Sequence, residues 1–181
     1  MTTIQTHAAF VRGINVGGRN KVPMKALRDV CEKIGCESVE TLLQTGNVLF
    51  SGVASEKDLE SVFEEAIESR FGFFASVTIR KVVDLVEIFE TSPFADVAAI
   101  DPSRVILYFS KKPIRAEAQS ELAKRAAGQE VIRTFNDGLW IYFPNGIGRS
   151  KLTPAVIDKA SGSASTGRNW KTVKTLINRF E

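Results

Sequence analysis

Apolar and polar positions alternate between two periods along this chain. Residues 8–12 form a short apolar run closed by Gly13 and predict a buried strand. Leu27, Val30, Cys31 and Ile34 then recur at helical spacing, which predicts a helix over 23–34 with Pro23 in its first turn and Gly35 as its stop. Residues 39–51 are rich in β-formers and broken by Thr45-Gly46-Asn47, a hairpin signature. Ser55-Glu56-Lys57-Asp58 reads as a variant capping box opening a helix over 55–71. Its inner face is Leu59, Val62, Phe63, Ala66 and Ile67, and its outer face is acidic. Residues 76–81 alternate as a strand. The order β-α-β-β-α-β is the split βαβ arrangement of a ferredoxin-like unit.

A second run follows a short helix over 82–90, a break at Ser92-Pro93 and a predicted linker over 96–103. Residues 105–109 are continuously apolar, as in a central strand. Residues 115–127 predict a helix ending at Gly128, and 131–135 with 139–143 flank Asn136-Asp137-Gly138, a strong hairpin signal. Thr153-Pro154 supplies a cap and first-turn proline for a helix with Val156, Ile157 and Ala160 inward. Residues 161–167 are small and predict a loop. The last helix, over 170–180, carries Val173, Leu176, Ile177 and Phe180 on one face. A helix thus stands where the fourth strand would be. The fold class is α+β: two related ferredoxin-like (split βαβ) halves in tandem, with an extra C-terminal helix. The expected division is 1–81, a helix and linker over 82–103, and 104–181.

Composition narrows the classes. With 44% hydrophobic and 25% charged residues the 181-residue chain can bury a core, which excludes wholesale disorder. No apolar run reaches the ~20 residues of a membrane span, so no membrane partner is expected. Residues 1–7 lack a signal peptide's basic start and apolar centre, so the expected compartment is cytoplasmic. Cys31 lies in a helical apolar stripe and Cys36 follows Gly35, with neither a nearby histidine nor a third cysteine. Both read as structural thiols, and no metal site is expected.

Charge is unevenly distributed within a net +3. Residues 1–90 carry 10 Lys+Arg against 13 Asp+Glu, a balance of −3, and residues 91–181 carry 14 against 8, a balance of +6. Five basic residues lie between Arg12 and Arg28 before the first acid, Asp29. Three glycine-containing segments stand ahead of helices. Gly17-Gly18-Arg19-Asn20-Lys21 precedes Pro23, Gly146-Ile147-Gly148-Arg149-Ser150-Lys151 precedes Pro154, and Gly167-Arg168-Asn169 precedes Trp170. Glycine permits close backbone approach, a helix start offers unpaired N–H donors, and Arg or Lys adds charge, which together can cradle an anion. Each residue also has an ordinary use as a turn former or helix cap.

Known nucleotide motifs are not met. Gly13 to Asn20 has Arg where a P-loop has Lys and Asn where it has Ser or Thr, and no Gly-x-Gly-x-x-Gly precedes an acid at the dinucleotide-fold spacing. No cofactor is implied. The single histidine, His7, leaves histidine-based triads without support. Trp140, Tyr142 and Phe143 suggest a stacking platform for RNA, but the Lys/Arg-Gly-Phe consensus is absent and core packing accounts for them.

Arg12-Gly13-Ile14-Asn15-Val16-Gly17-Gly18, Gln44-Thr45-Gly46-Asn47-Val48, Asn145 to Lys151, and Arg168-Asn169-Trp170 with Thr172-Val173 together resemble a bacterial family known as domain of unknown function 1697. The resemblance spans nearly the whole chain in order. It departs at Thr45 (usually serine), Gly167 (usually alanine) and Lys171 (usually asparagine). It implies an α+β protein with two ferredoxin-like halves and brings no established activity.

The leading expectation is an anion-binding module for a nucleotide, another phosphate-containing small molecule or a nucleic-acid backbone. Arg12, Arg19, Lys21, Lys151 and Arg168 would supply charge, and Asn15, Gln44, Asn47, Ser150 and Asn169 would orient the ligand. Gly17 and Gly18 would allow close approach, and Trp170 would stack on it. The alternatives are an enzyme of unrecognised class acting on such a ligand, or a protein-interaction domain whose loops are structural. No catalytic residue and no oligomeric state follow from the sequence.

Overall fold

Two four-stranded antiparallel sheets organise the chain. The computed structural model describes residues 6–52, 56–127, 129–135 and 138–179. The chain divides into two compact units, one running to Leu85 and the other Val86–Arg179.

The first unit contains β1 (His7–Val11), α1 (Met24–Lys33), β2 (Glu37–Leu42), β3 (Asn47–Ser51), α2 (Glu56–Phe71) and β4 (Val77–Lys81). Its sheet order is β2-β3-β1-β4, so β1 and β3 are central and β2 and β4 are edges. Ala9 pairs with Val48 on one side and Ile79 on the other, which sets one face of the sheet. On that face Ala9, Val11, Val48, Phe50, Val77 and Ile79 meet Leu27, Val30 and Cys31 of α1 and Leu59, Phe63 and Ile67 of α2. Both helices therefore cover one face, as their single apolar stripes require. Full burial of Phe63 or Ile67 contributes roughly 1.5–3 kcal/mol each. The expected cap at Ser55 lies outside the described residues.

α3 (Val82–Glu90) carries the chain across the boundary between the units. The predicted linker is not wholly irregular: α4 (Ala95–Ile100) overlaps its first half. Six residues are too few to show a helical stripe, but Phe94 and Ala98 are buried, and Phe94 lies 6.5 Å from Tyr142.

The second unit continues with β5 (Val105–Ser110), α5 (Ala118–Arg125), β6 (Val131–Phe135), β7 (Gly138–Tyr142), α6 (Pro154–Ser161), β8 (Ser165–Asn169) and α7 (Trp170–Ile177). Its sheet order, β6-β7-β5-β8, repeats that of the first. Ile106, Tyr108, Ile132, Leu139 and Ile141 pack with Leu122 of α5 and Ile157 of α6. Gly128, Asn136 and Asp137, read as a helix stop and hairpin turn, lie outside the described residues.

β8 corrects the sequence reading, which left no fourth strand here. Ser165-Thr166-Gly167-Arg168-Asn169 has almost no strand propensity, yet it pairs with β5 from Ser110↔Ser165 to Ile106↔Asn169. Tertiary context decides it. A buried 2.7 Å hydrogen bond joins the Ser110 and Ser165 hydroxyls. A Cβ on Gly167 would stand 2.7 Å from the Tyr108 ring, so that glycine serves packing and not ligand approach.

Candidate functional site

Residues 13–22 are a pinned β-finger rather than an open anion cradle. The Arg19 amide donates to Val16 O at 3.1 Å across Gly17 and Gly18, whose φ angles of 58° and 76° define a type I′ turn. The Asn15 amide donates to Asn20 O at 3.1 Å. Two amides that could have held an anion are thereby consumed. The Asn15 side chain locks the base: Nδ2 donates to Val22 O and Gln44 O, and Oδ1 accepts from Val22 N, each at 2.9 Å. Asn15 adopts φ 54°, a left-handed geometry that Asn tolerates better than most side chains. Ile14 and Val22 are buried beneath the finger, while Gly17, Gly18, Arg19 and Lys21 are exposed.

The other first-unit candidates divide in the same way. Arg12 is partly buried, and its amide donates to Ser76 O at 2.9 Å. Asn47 is 0% exposed, and its Nδ2 donates to Leu42 O and Thr45 Oγ1, both at 3.0 Å, closing its own hairpin. Gln44 is exposed. The finger thus brings Asn15 and Gln44 together and leaves Asn47 inside the fold.

In the second unit a cleft of about 310 Å³ is lined by Glu130, Phe143, Asn145, Arg149, Ser150 and Lys151. Gly146, at φ 80°, starts the turn, and Ile147–Arg149 forms one 3₁₀ turn that places Arg149 and Lys151 at the rim. Ser150 Oγ donates to Glu130 Oε1 at 2.6 Å and accepts from Leu152 N at 3.1 Å. Thr153 Oγ1 then accepts from Val156 N and caps α6, as its sequence position foretells. Two cations, one carboxylate and a hydroxyl share the recess with the apolar surfaces of Ala127, Phe143 and Pro144.

Arg168, Asn169 and Trp170 do not line that cleft. Asn169 caps α7, its Oδ1 accepting from Thr172 N at 2.9 Å. Trp170 lies 4.3 Å from Phe89 and 5.6 Å from Trp140, an aromatic anchor inside the unit. Arg168 keeps partial exposure, but its guanidinium is desolvated: burial lowers its pKa to about 10. Its Nη1 donates to Gly167 O at 2.9 Å. Sequence reasoning passed over Glu130 and did not single out Arg149. Arg149 was legible in the Gly-x-Gly-Arg-Ser-Lys motif; Glu130 had no local signal, since only the sheet brings it to Ser150.

Among the described residues no group of three or more His, Cys, Asp or Glu could hold a metal ion, and no helix is long and apolar enough to cross a membrane. A solved structure of a conserved bacterial protein, SP0830 from Streptococcus pneumoniae, is similar with a TM-score of 0.71 and 23% identity, covering 99% of this chain and 100% of that one. At that identity the likeness speaks for the fold alone. No curated protein matches the chain. The model of a protein family of unknown function, DUF1697, matches residues 4–140, well over half of the sequence, and on that match the chain belongs to the DUF1697 family.

Proposed function

We propose that the protein binds a phosphate-containing small molecule in the cleft of its second unit. The observation that carries this is the convergence of Arg149, Ser150 and Lys151 on one recess of about 310 Å³, a volume at the small end of ligand pockets. Arg149 offers a planar fork for two phosphate oxygens and Lys151 a point charge. Glu130 offsets one of the two cations and leaves the rim net positive. Its carboxylate, already held by Ser150, is an acceptor for a sugar or alcohol hydroxyl. The ligand class is therefore a phosphomonoester bearing hydroxyls rather than bare phosphate.

Thermal shift and titration calorimetry with inorganic phosphate, a sugar phosphate and a nucleoside monophosphate test this. A ligand at 100 times its Kd should add about 2.7 kcal/mol to stability. Arg149→Ala with Lys151→Ala should remove that gain. Indifference to every phosphorylated ligand, or equal gain in the double variant, overturns the reading.

One observation favours an enzyme as the second reading. The 2.6 Å bond from Ser150 to Glu130 puts a carboxylate on a hydroxyl inside the cleft, the contact a general base makes with its proton donor. Turnover in a library of phosphorylated metabolites, lost in Glu130→Gln, would support it.

A further inference from the structure

Two exposed apolar side chains stand on and beside the finger of the first unit. Val16 is 63% exposed and Leu43 is 51% exposed, and they flank the Asn15–Gln44 hydrogen bond, each one residue from it. Leu43 holds φ 58°, a conformation that a branched-chain residue adopts only at a cost. Asn15 and Asn20 also sit at positive φ, at 54° and 48°. Of the three, Leu43 alone bears a cost for its conformation, since asparagine tolerates the left-handed region, and a strained residue held at an exposed turn marks backbone preorganised for a ligand. At Gly17 and Gly18 an added Cβ would meet nothing within 4 Å, so another chain can approach the bare turn.

We propose that this finger and the turn at 43–45 dock single-stranded nucleic acid. Charge selects the partner: Arg19 and Lys21 on the finger and Lys25 and Arg28 on α1 are all exposed, with no acid between Arg12 and Asp29. Phosphates would take the cations. Val16 and Leu43 would meet base faces, which a single strand offers and a duplex hides in its stack. Gln44, exposed beside them, carries both a donor and an acceptor for a base edge. A polyacid such as poly-glutamate would satisfy the cations but offers no flat apolar faces to the two side chains.

The test is fluorescence anisotropy of the full chain with a labelled 12-nucleotide single-stranded RNA of mixed sequence, over a salt series. A matched duplex and poly-glutamate serve as competitors. Each phosphate contact contributes about −0.7 to the slope of log affinity against log salt. Arg19→Ala with Lys21→Ala should make the slope shallower by about 1.4 and weaken binding about 10- to 60-fold at 50 mM salt. These side chains are exposed, so circular dichroism should be unchanged. Leu43→Asn, which keeps the backbone conformation accessible, should weaken binding 3- to 10-fold with the slope intact. No binding, preference for the duplex, equal competition by poly-glutamate, or an unaltered slope in the double variant overturns the proposal. Arg149→Ala, in the other unit, should leave this binding unchanged, which separates it from the cleft.

Discussion

Glu64 Oε1 accepts a 2.8 Å hydrogen bond from the Val77 amide at the start of β4. Asp158 Oδ1 accepts a 2.9 Å bond from the Ser165 amide at the start of β8, the same place in the second sheet. Glu60 continues the series by accepting from Ile79 N at 2.8 Å. β4 and β8 are edge strands, whose outward N–H groups would otherwise invite another strand. Helix carboxylates therefore hold the first amide of each edge strand, and a second amide of β4.

Glu64→Ala should cost about 1–3 kcal/mol, because it leaves the Val77 amide without this acceptor in a buried site. Glu64→Gln keeps an acceptor oxygen and should cost clearly less. Urea unfolding measures both. Equal losses would mean that side-chain packing, not the acceptor, is what counts.

Gly46 and Gly17 separate two demands on glycine. Both have positive φ, but a Cβ at Gly46 would stand 2.8 Å from Ile14 Cδ1 and 3.0 Å from Val11 Cβ, whereas at Gly17 it meets open space. Gly46→Ala combines backbone strain with overpacking and should cost about 2–4 kcal/mol. Gly17→Ala incurs the backbone term alone, about 1–2 kcal/mol. Similar losses at both positions, by urea unfolding, would contradict the packing argument.

These positions show what was legible in the sequence. α1 and α2 could be read because their apolar stripes repeat over several turns and one sheet face satisfies both. β8 could not, because Ser165-Thr166-Gly167-Arg168-Asn169 becomes a strand only through its pairing with β5. The Arg12–Lys21 segment stands out in the sequence by its glycines and charge, but the sequence could not show that Asn15 spends its side-chain amide and oxygen on Val22 and Gln44. The cleft was half legible: Ser150 and Lys151 sit in a recognisable motif, whereas Glu130 reaches Ser150 from 20 residues away.

The two thiols should be quiet. Burial pushes the Cys36 thiol from 9.0 up to about 11 and the Cys31 thiol further still. Near pH 8 Cys36 thus holds about 100-fold less thiolate than an ordinary cysteine, and a disulfide reagent should label it slower by about that factor. Cys31 should label only on unfolding. The pH dependence follows from the raised values: the stabilisation is fully present below pH 9.0 and is lost as pH rises through about 11. Burial of Arg168 acts with the opposite sign. Its lowered pKa means that the penalty for holding the charge is present below about pH 10 and relieved above it. Rapid labelling of both thiols in the native protein would contradict the burial argument.

Leu43 separates stability from binding. Its φ of 58° costs a non-glycine residue about 1–2 kcal/mol, and its side chain is half exposed, so little burial offsets that cost. Leu42, its neighbour, is the residue that faces the core. Leu43→Asn places at this turn a residue that tolerates the left-handed region, and it should stabilise the protein by about 0.5–1 kcal/mol in urea unfolding. A turn selected only for folding would carry such a residue already. If the strained leucine is kept for contact with a base, the same variant that gains stability must lose single-strand affinity. It should do so without changing the salt slope, because no charge has been removed. A variant that loses stability by more than 1 kcal/mol would show instead that the Leu43 side chain supports the hairpin. A variant that gains stability and keeps full affinity would leave the strain at Leu43 without a functional account.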